Sequence, residues 1–149
     1  MKLSAHFTLE ELTRSDYAIR NGIENKPNEE QVHNLQMLCE HALEPLREIV
    51  KKPIIVTSGF RSEKVNTAIG GSTNSQHTQG KAADIHVSGM TIDELFMIAR
   101  KFVPYDQLIQ EFNQWVHISW TLPLRRQPLL ALKEEGKTIY KSFEEKNFA

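Results

Sequence analysis

An aspartate inside an apolar strand is the feature that most constrains this chain. Ala82-Ala83-Asp84-Ile85-His86-Val87 reads as a buried strand, and a carboxylate is rarely buried unless something pairs with it. Seven residues upstream stands His77, in the polar, Gly-punctuated loop Ser75-Gln76-His77-Thr78-Gln79-Gly80. A third polar side chain in apolar company is His117, within Trp115-Val116-His117-Ile118-Ser119-Trp120. A metal cation is the simplest shared partner for two imidazoles and a carboxylate. The fold therefore has to bring a loop and two strands to one point.

The flanking sequence supplies elements that do this. Thr8 and Glu11 form a capping box for a short first helix, and Ser15 caps a second turn through Ala18. After the loop Asn25-Lys26-Pro27, Asn28 with Gln31 opens the longest expected helix, Glu29 to Val50. Its stripe of Val32, Leu35, Leu38, Cys39, Ala42, Leu43, Leu46, Ile49 and Val50 recurs at helical spacing. His33 and His41 lie off that stripe and are expected at the surface. Ile54 to Ser58 is a β-branched strand, Ser62 caps a helix over 63–68, and Gly70-Gly71 closes it. Thr91 and Glu94 cap a helix over 92–102, stopped by Pro104. Strands are expected over 107–112 and 115–120, turned by Asn113-Gln114, with a last hairpin of 129–132 and 138–140. Helices first and sequentially paired strands later give an α+β class: N-terminal helices on a small, mostly antiparallel sheet.

Composition narrows the function. At 149 residues the chain is expected to be one domain over residues 1–149, burying about two-thirds of its unfolded surface. The net charge of −1 provides no general basic field, so nucleic acid is not the expected partner. No apolar run approaches the length of a membrane span, and Met1 to Phe7 lacks the apolar core of a secretion signal. The expectation is cytoplasmic synthesis. A single cysteine, Cys39, excludes an internal disulfide, and its place on the helix stripe makes it a buried, inert thiol.

Strand alternation then decides which residues can meet. Asp84 and His86 share one face of their strand, while Ala83 and Ile85 face the core. His117 and Ser119 share a face of theirs, opposite Val116, Ile118 and Trp120. If the two strands pair, Asp84 and His117 come within one metal's reach, with His77 arriving from the loop. Two imidazoles and a carboxylate leave a fourth tetrahedral position open, the arrangement of a catalytic zinc site, and the donor set favours zinc over calcium or magnesium. Spacing alone also admits a loop histidine, a core histidine and a turn-capping aspartate.

Three ordered motifs add a resemblance. Ser75 to Asp84 reads S-x-H-x-x-G-x-A-x-D, Trp115 to Ser119 reads W-x-H-x-S, and upstream stands Ser58-Gly59-Phe60-Arg61-Ser62 with Asn66 and Gly70-Gly71. Over about Phe7 to Tyr140 the chain resembles the zinc D-Ala-D-Ala carboxypeptidase family of peptidoglycan peptidases, which shares a fold with the hedgehog signalling domain. The nearest likeness is to the small phage- and prophage-associated branch, through the openings at Phe7-Thr8 to Leu12 and Asn25-Lys26-Pro27 to Leu35. That family includes D,D-carboxypeptidases, D,D-dipeptidases and phage L-alanyl-D-glutamate endolysins.

The resemblance implies Zn2+ held by His77, Asp84 and His117. It implies that Arg61 binds a substrate carbonyl or carboxylate, with Ser75 and Trp115 beside the substrate. Trp120 and Leu124-Arg125-Arg126 are further candidates for the cleft border. The substrate implied is a peptidoglycan peptide, cleaved by a monomer acting at the cell wall or periplasm. The general base is where the match departs. Many members place a Glu three residues before the last zinc histidine, or a His two before it, and here those positions are Gln114 and Val116. Glu111 is the expected base, with Asp106 next; His86 is more simply a sheet-face residue. Non-catalytic cell-wall binding and zinc hydrolysis of another amide remain the competing readings.

Overall fold

The capping residues set the helical half. In this computed structural model, which describes residues 1–144, the Thr8–Glu11 box opens α1 (Leu9–Thr13) and Ser15 caps α2 (Asp16–Asn21). Asn28 and Gln31 exchange the reciprocal bonds that open α3 (Glu29–Leu38). The long helix expected over 29–50 is interrupted. A π-helical turn, Cys39–Leu43, separates α3 from α4 (Glu44–Val50). Pro45 supplies the reason, since it has no N–H and its ring crowds the carbonyl four residues back. The widened turn redirects the ladder, and the Glu44 N–H bonds back to the Cys39 carbonyl. The apolar stripe survives through Leu35, Leu38, Cys39, Ala42, Leu43 and Leu46, all fully buried, but not at Ile49, which is 40% exposed near the helix end. Burial and the nearby Glu44 charge push the Cys39 thiol up to about 12, so it is inert at neutral pH. His33 is exposed, and His41 stacks on Trp120 with ring centroids 4.5 Å apart.

The other half is one six-stranded sheet. β1 (Ile55–Ser58) leads through α5 (Glu63–Ala68) and a 3-10 turn (Gln76–Gln79) to β2 (Ala82–His86). After α6 (Ile92–Phe102) come β3 (Gln107–Glu111), β4 (Trp115–Ser119), β5 (Gln127–Glu134) and β6 (Lys137–Ser142). The spatial order is β1-β2-β4-β3-β5-β6, and every pair is antiparallel except β3 with β5. The architecture is thus the expected α+β arrangement. Ala83, Ile85, Val116 and Ile118 all point into the helix-covered core. No helix among the described residues is long and apolar enough to cross a membrane.

Two strand boundaries depart from expectation. The last hairpin is longer than 129–132 and 138–140, because parallel pairing with β3 starts β5 at Gln127. The β3–β4 turn sits one residue earlier than Asn113-Gln114. Phe112 and Asn113 both have positive φ, 57° and 56°, and Gln114 N–H bonds the Glu111 carbonyl at 2.9 Å. Left-handed backbone at both positions makes a tight turn, and with Glu111 opposite Trp115 the three residues 112–114 join the strands. Phe112 is an unusual residue there. Its ring is held edge-on against Trp115, with centroids 5.9 Å apart.

Candidate metal centre

The sheet register brings Asp84 and His117 together. β2 pairs with β4 so that Asp84 lies directly opposite His117, and Asp84 Oδ1 is 3.1 Å from His117 Nδ1. His77 comes from the 3-10 turn, where its own backbone N–H donates to the Ser75 hydroxyl at 3.2 Å. Its Nε2 is 3.2 Å from the same Asp84 oxygen. The two imidazoles meet edge to face with centroids 5.0 Å apart. All three side chains are buried, and one donor atom from each lies within 4.8 Å of the others.

The hydrogen bonding prepares these atoms for a cation. His77 Nδ1 is 2.7 Å from the Gly59 carbonyl. A carbonyl only accepts, so Nδ1 carries the proton and Nε2 presents its lone pair to the site. Gly59 is needed for close approach, since a Cβ there would overlap the Leu12 carbonyl that accepts the Phe60 N–H. Burial disfavours charge on Asp84. The adjacent His77 and His117 outweigh it and hold the carboxyl well below the ordinary range. Two nitrogen donors and one anionic oxygen, converging and buried, fit zinc with an open fourth position.

Around the ligands stand a carboxylate and a guanidinium. Glu111, the last residue of β3, pairs across the hairpin with Trp115. It therefore sits diagonally beside His117, with Oε1 3.6 Å from His117 Nδ1. Burial and the negative charge of Asp84 raise its carboxyl above the usual glutamate range, against the pull of His117 and Arg61. That direction suits a group that takes up and returns a proton. Gln114 is exposed in the turn and Val116 faces the core. Arg61 is fixed on three sides: Nε donates to Ser58 Oγ at 3.2 Å, Nη1 donates to Asn66 Oδ1 at 3.0 Å, and Nη2 lies 3.7 Å from Asp84 Oδ2. Burial lowers its pKa while Asp84 and Glu111 oppose that shift.

A cleft of about 770 Å³ opens over this centre, and Arg61, Ser75, His77, Glu111 and His117 all line it. Trp115 is not among the lining residues; its ring packs on Phe112. His86 ends β2 away from the cleft, and Ser119 is fully buried, accepting the Gln107 N–H at 2.9 Å. Asp106 is committed elsewhere: its two oxygens accept from Arg125 and Gln76. Of the other border candidates, Arg125 lines the cleft, Trp120 stacks on His41, and Arg126 lies over the Tyr105 ring. The sequence did not single out Ile109, Leu129 and Tyr140, which are among the other residues of the walls. The first two are apolar residues in strands and carry no signal of their own.

No curated protein sequence matches the chain. A family model described as Peptidase M15 matches residues 5–119, from before α1 to the end of β4. The match covers the three ligands, Arg61 and Glu111, and stops short of β5 and β6, which the resemblance had been expected to include. It spans well over half of the 149 residues. The chain belongs to the Peptidase M15 family, and is a zinc metallopeptidase.

Proposed function

We propose that this peptidase hydrolyses peptide bonds in the stems or cross-links of peptidoglycan, as a D,D-carboxypeptidase or endopeptidase. It would be synthesised in the cytoplasm and act, as a single chain, at the cell wall or periplasm. The observation that carries the catalytic part is the position of Glu111. It supplies beside the ligands the carboxylate that Gln114 does not. The motif likeness to peptidoglycan peptidases supports the substrate, as does an open cleft large enough for an extended peptide.

The chain's own residues define the chemistry. His77, Asp84 and His117 would hold zinc, which when bound supplies Lewis acidity toward the scissile carbonyl and makes water a better acid. Glu111 takes the proton from the attacking water and delivers it to the leaving amine. Arg61, held by Ser58 and Asn66, offers positive charge where the carbonyl oxygen becomes anionic, or clamps a substrate carboxylate. Ser75 keeps the His77 turn in shape through its bond to the His77 N–H.

The test is to incubate purified, zinc-loaded protein with purified sacculi and to analyse released products by mass. New peptide ends support the reading, and their identity separates carboxypeptidase from endopeptidase. Zinc-loaded protein that binds sacculi and releases nothing would replace it with a wall-binding role.

A further inference from the structure

The cleft has a second polar end, away from the ligands, whose Arg125 and Gln127 lie beyond the residues the family model matches. Along the strands, the row Asp84–His117–Ile109–Leu129 contains two of the ligands. Two residues further, about 7 Å along extended chain, Gln107 and Gln127 form the next row and bond to one another at 2.7 Å. Arg125 lies just beyond Gln127. Ile109 and Leu129 make the cleft apolar between the two ends.

Arg125 is built into place. Asp106, only 1% exposed, accepts on Oδ1 from the Arg125 backbone N–H at 2.9 Å and from Nε at 3.0 Å. Its Oδ2 accepts from Nη2 at 2.7 Å and from Gln76 Nε2 at 2.9 Å. A buried carboxylate with four donors is fully satisfied, and it holds the guanidinium in one orientation. Arginine has five N–H donors, and two side-chain donors serve Asp106. The edge bearing Nη1 remains for a ligand, on a side chain that is 53% exposed and lines the cleft. Gln76 completes the arrangement. A carboxylate only accepts, so its amide nitrogen must face Asp106. That leaves Oε1, a buried acceptor that no described protein group satisfies, in a residue lining the same cleft. The free edge of an oriented, exposed guanidinium in the cleft suits an anionic ligand group.

We propose that Arg125, oriented by Asp106 and backed by Gln76, forms a subsite for a peptide carboxylate, which the free edge of its guanidinium takes. The subsite selects substrates carrying that carboxylate one or two residues from the scissile bond. It deepens the peptidase reading above and rests on it. The carboxylate comes from a side chain or from the C-terminus, and the experiment separates these.

A synthetic stem peptide with both kinds of carboxylate free is compared with two versions, one amidated at the side chain and one at the C-terminus. kcat and KM are measured on zinc-loaded wild type, Arg125→Ala and Arg125→Lys, with zinc content and thermal midpoint recorded. One amidated version is expected to show a KM about tenfold higher on wild type, the loss typical of one charge-assisted pair. Arg125→Ala should raise KM for the free peptide by a similar factor, leave kcat within about twofold, and leave the affected amidated version no worse. Arg125→Lys keeps a cation beside Asp106, so it remains informative if the alanine variant does not fold. It should lose part of the discrimination because it lacks the fork. Equal effects on all three peptides, or none, overturn the subsite while cleavage upholds the peptidase. If wild type cleaves none of them, the peptidase reading fails on its own. Calorimetric binding of the same three peptides then decides the subsite: discrimination by Arg125 supports it, and its absence overturns it.

Discussion

The two faces of β2 and β4 are built from adjacent residues and obey opposite rules. Ala83, Ile85, Val116 and Ile118 face the helices and are dry and apolar. Asp84 and His117, each one residue along, face the cleft as a polar pair at 3.1 Å. Alternation lets ten residues of two strands serve as core and as reaction centre at once. The core face tolerates only hydrophobes of the right volume. The cleft face tolerates buried charge because its members satisfy one another.

The sharpest way to break this comparison is on the cleft face. His117→Ala should remove bound zinc and lower kcat/KM by roughly 10³-fold or more while the sheet persists. Metal analysis with circular dichroism checks it, and full zinc occupancy in the variant would sink the ligand assignment. Glu111→Gln should retain one zinc per chain yet lose about 10²- to 10⁴-fold in kcat. Unchanged turnover would reject Glu111 as the base. On the opposite face, Ile118→Ala should cost about 2–5 kcal/mol of stability, because the fully buried side chain leaves a cavity. Denaturant unfolding measures that loss, and the surviving folded protein should still bind zinc.

The smallest effect concerns Asp106. Burial pushes its carboxyl up, but the bonds from Arg125 and Gln76 prevail and hold it below its ordinary value. The folded pKa is thus lower than the unfolded one. Its stabilisation is complete above about pH 4 and is lost as pH falls through the folded value. Asp106→Asn should flatten the stability–pH curve below about pH 4. Identical slopes in the two proteins would contradict the assignment.

How much of this was legible follows from the range of each interaction. His77, Asp84 and His117 stood out because a polar residue in an apolar run is a local signal, and period-2 alternation predicts its face. Glu111 was visible as a nearby acid, but its diagonal contact with His117 depends on a turn. Asn113-Gln114 looked the better turn pair, and only packing of Phe112 on Trp115 shows why the turn sits one residue earlier. The π turn had its cause in plain view at Pro45, within a stripe that otherwise read as continuous. The cluster of Gln76, Asp106 and Arg125 had no local signature. It joins the His77 loop, the start of β3 and the lead into β5, which meet only through the parallel β3–β5 pairing.

The β3–β4 hairpin separates two tasks that a helix or a single strand would combine. His117 and the proposed base Glu111 sit on opposite arms of one tight bend, six positions apart in the chain, and their spacing is set by the hairpin register. Position 114 is correspondingly released from chemistry. Gln114 is exposed in the bend, while the nearby carboxylate comes from Glu111 on the arm before it. Gln114 before the last histidine therefore does not leave the centre without a neighbouring carboxylate, because Glu111 stands 3.6 Å from His117.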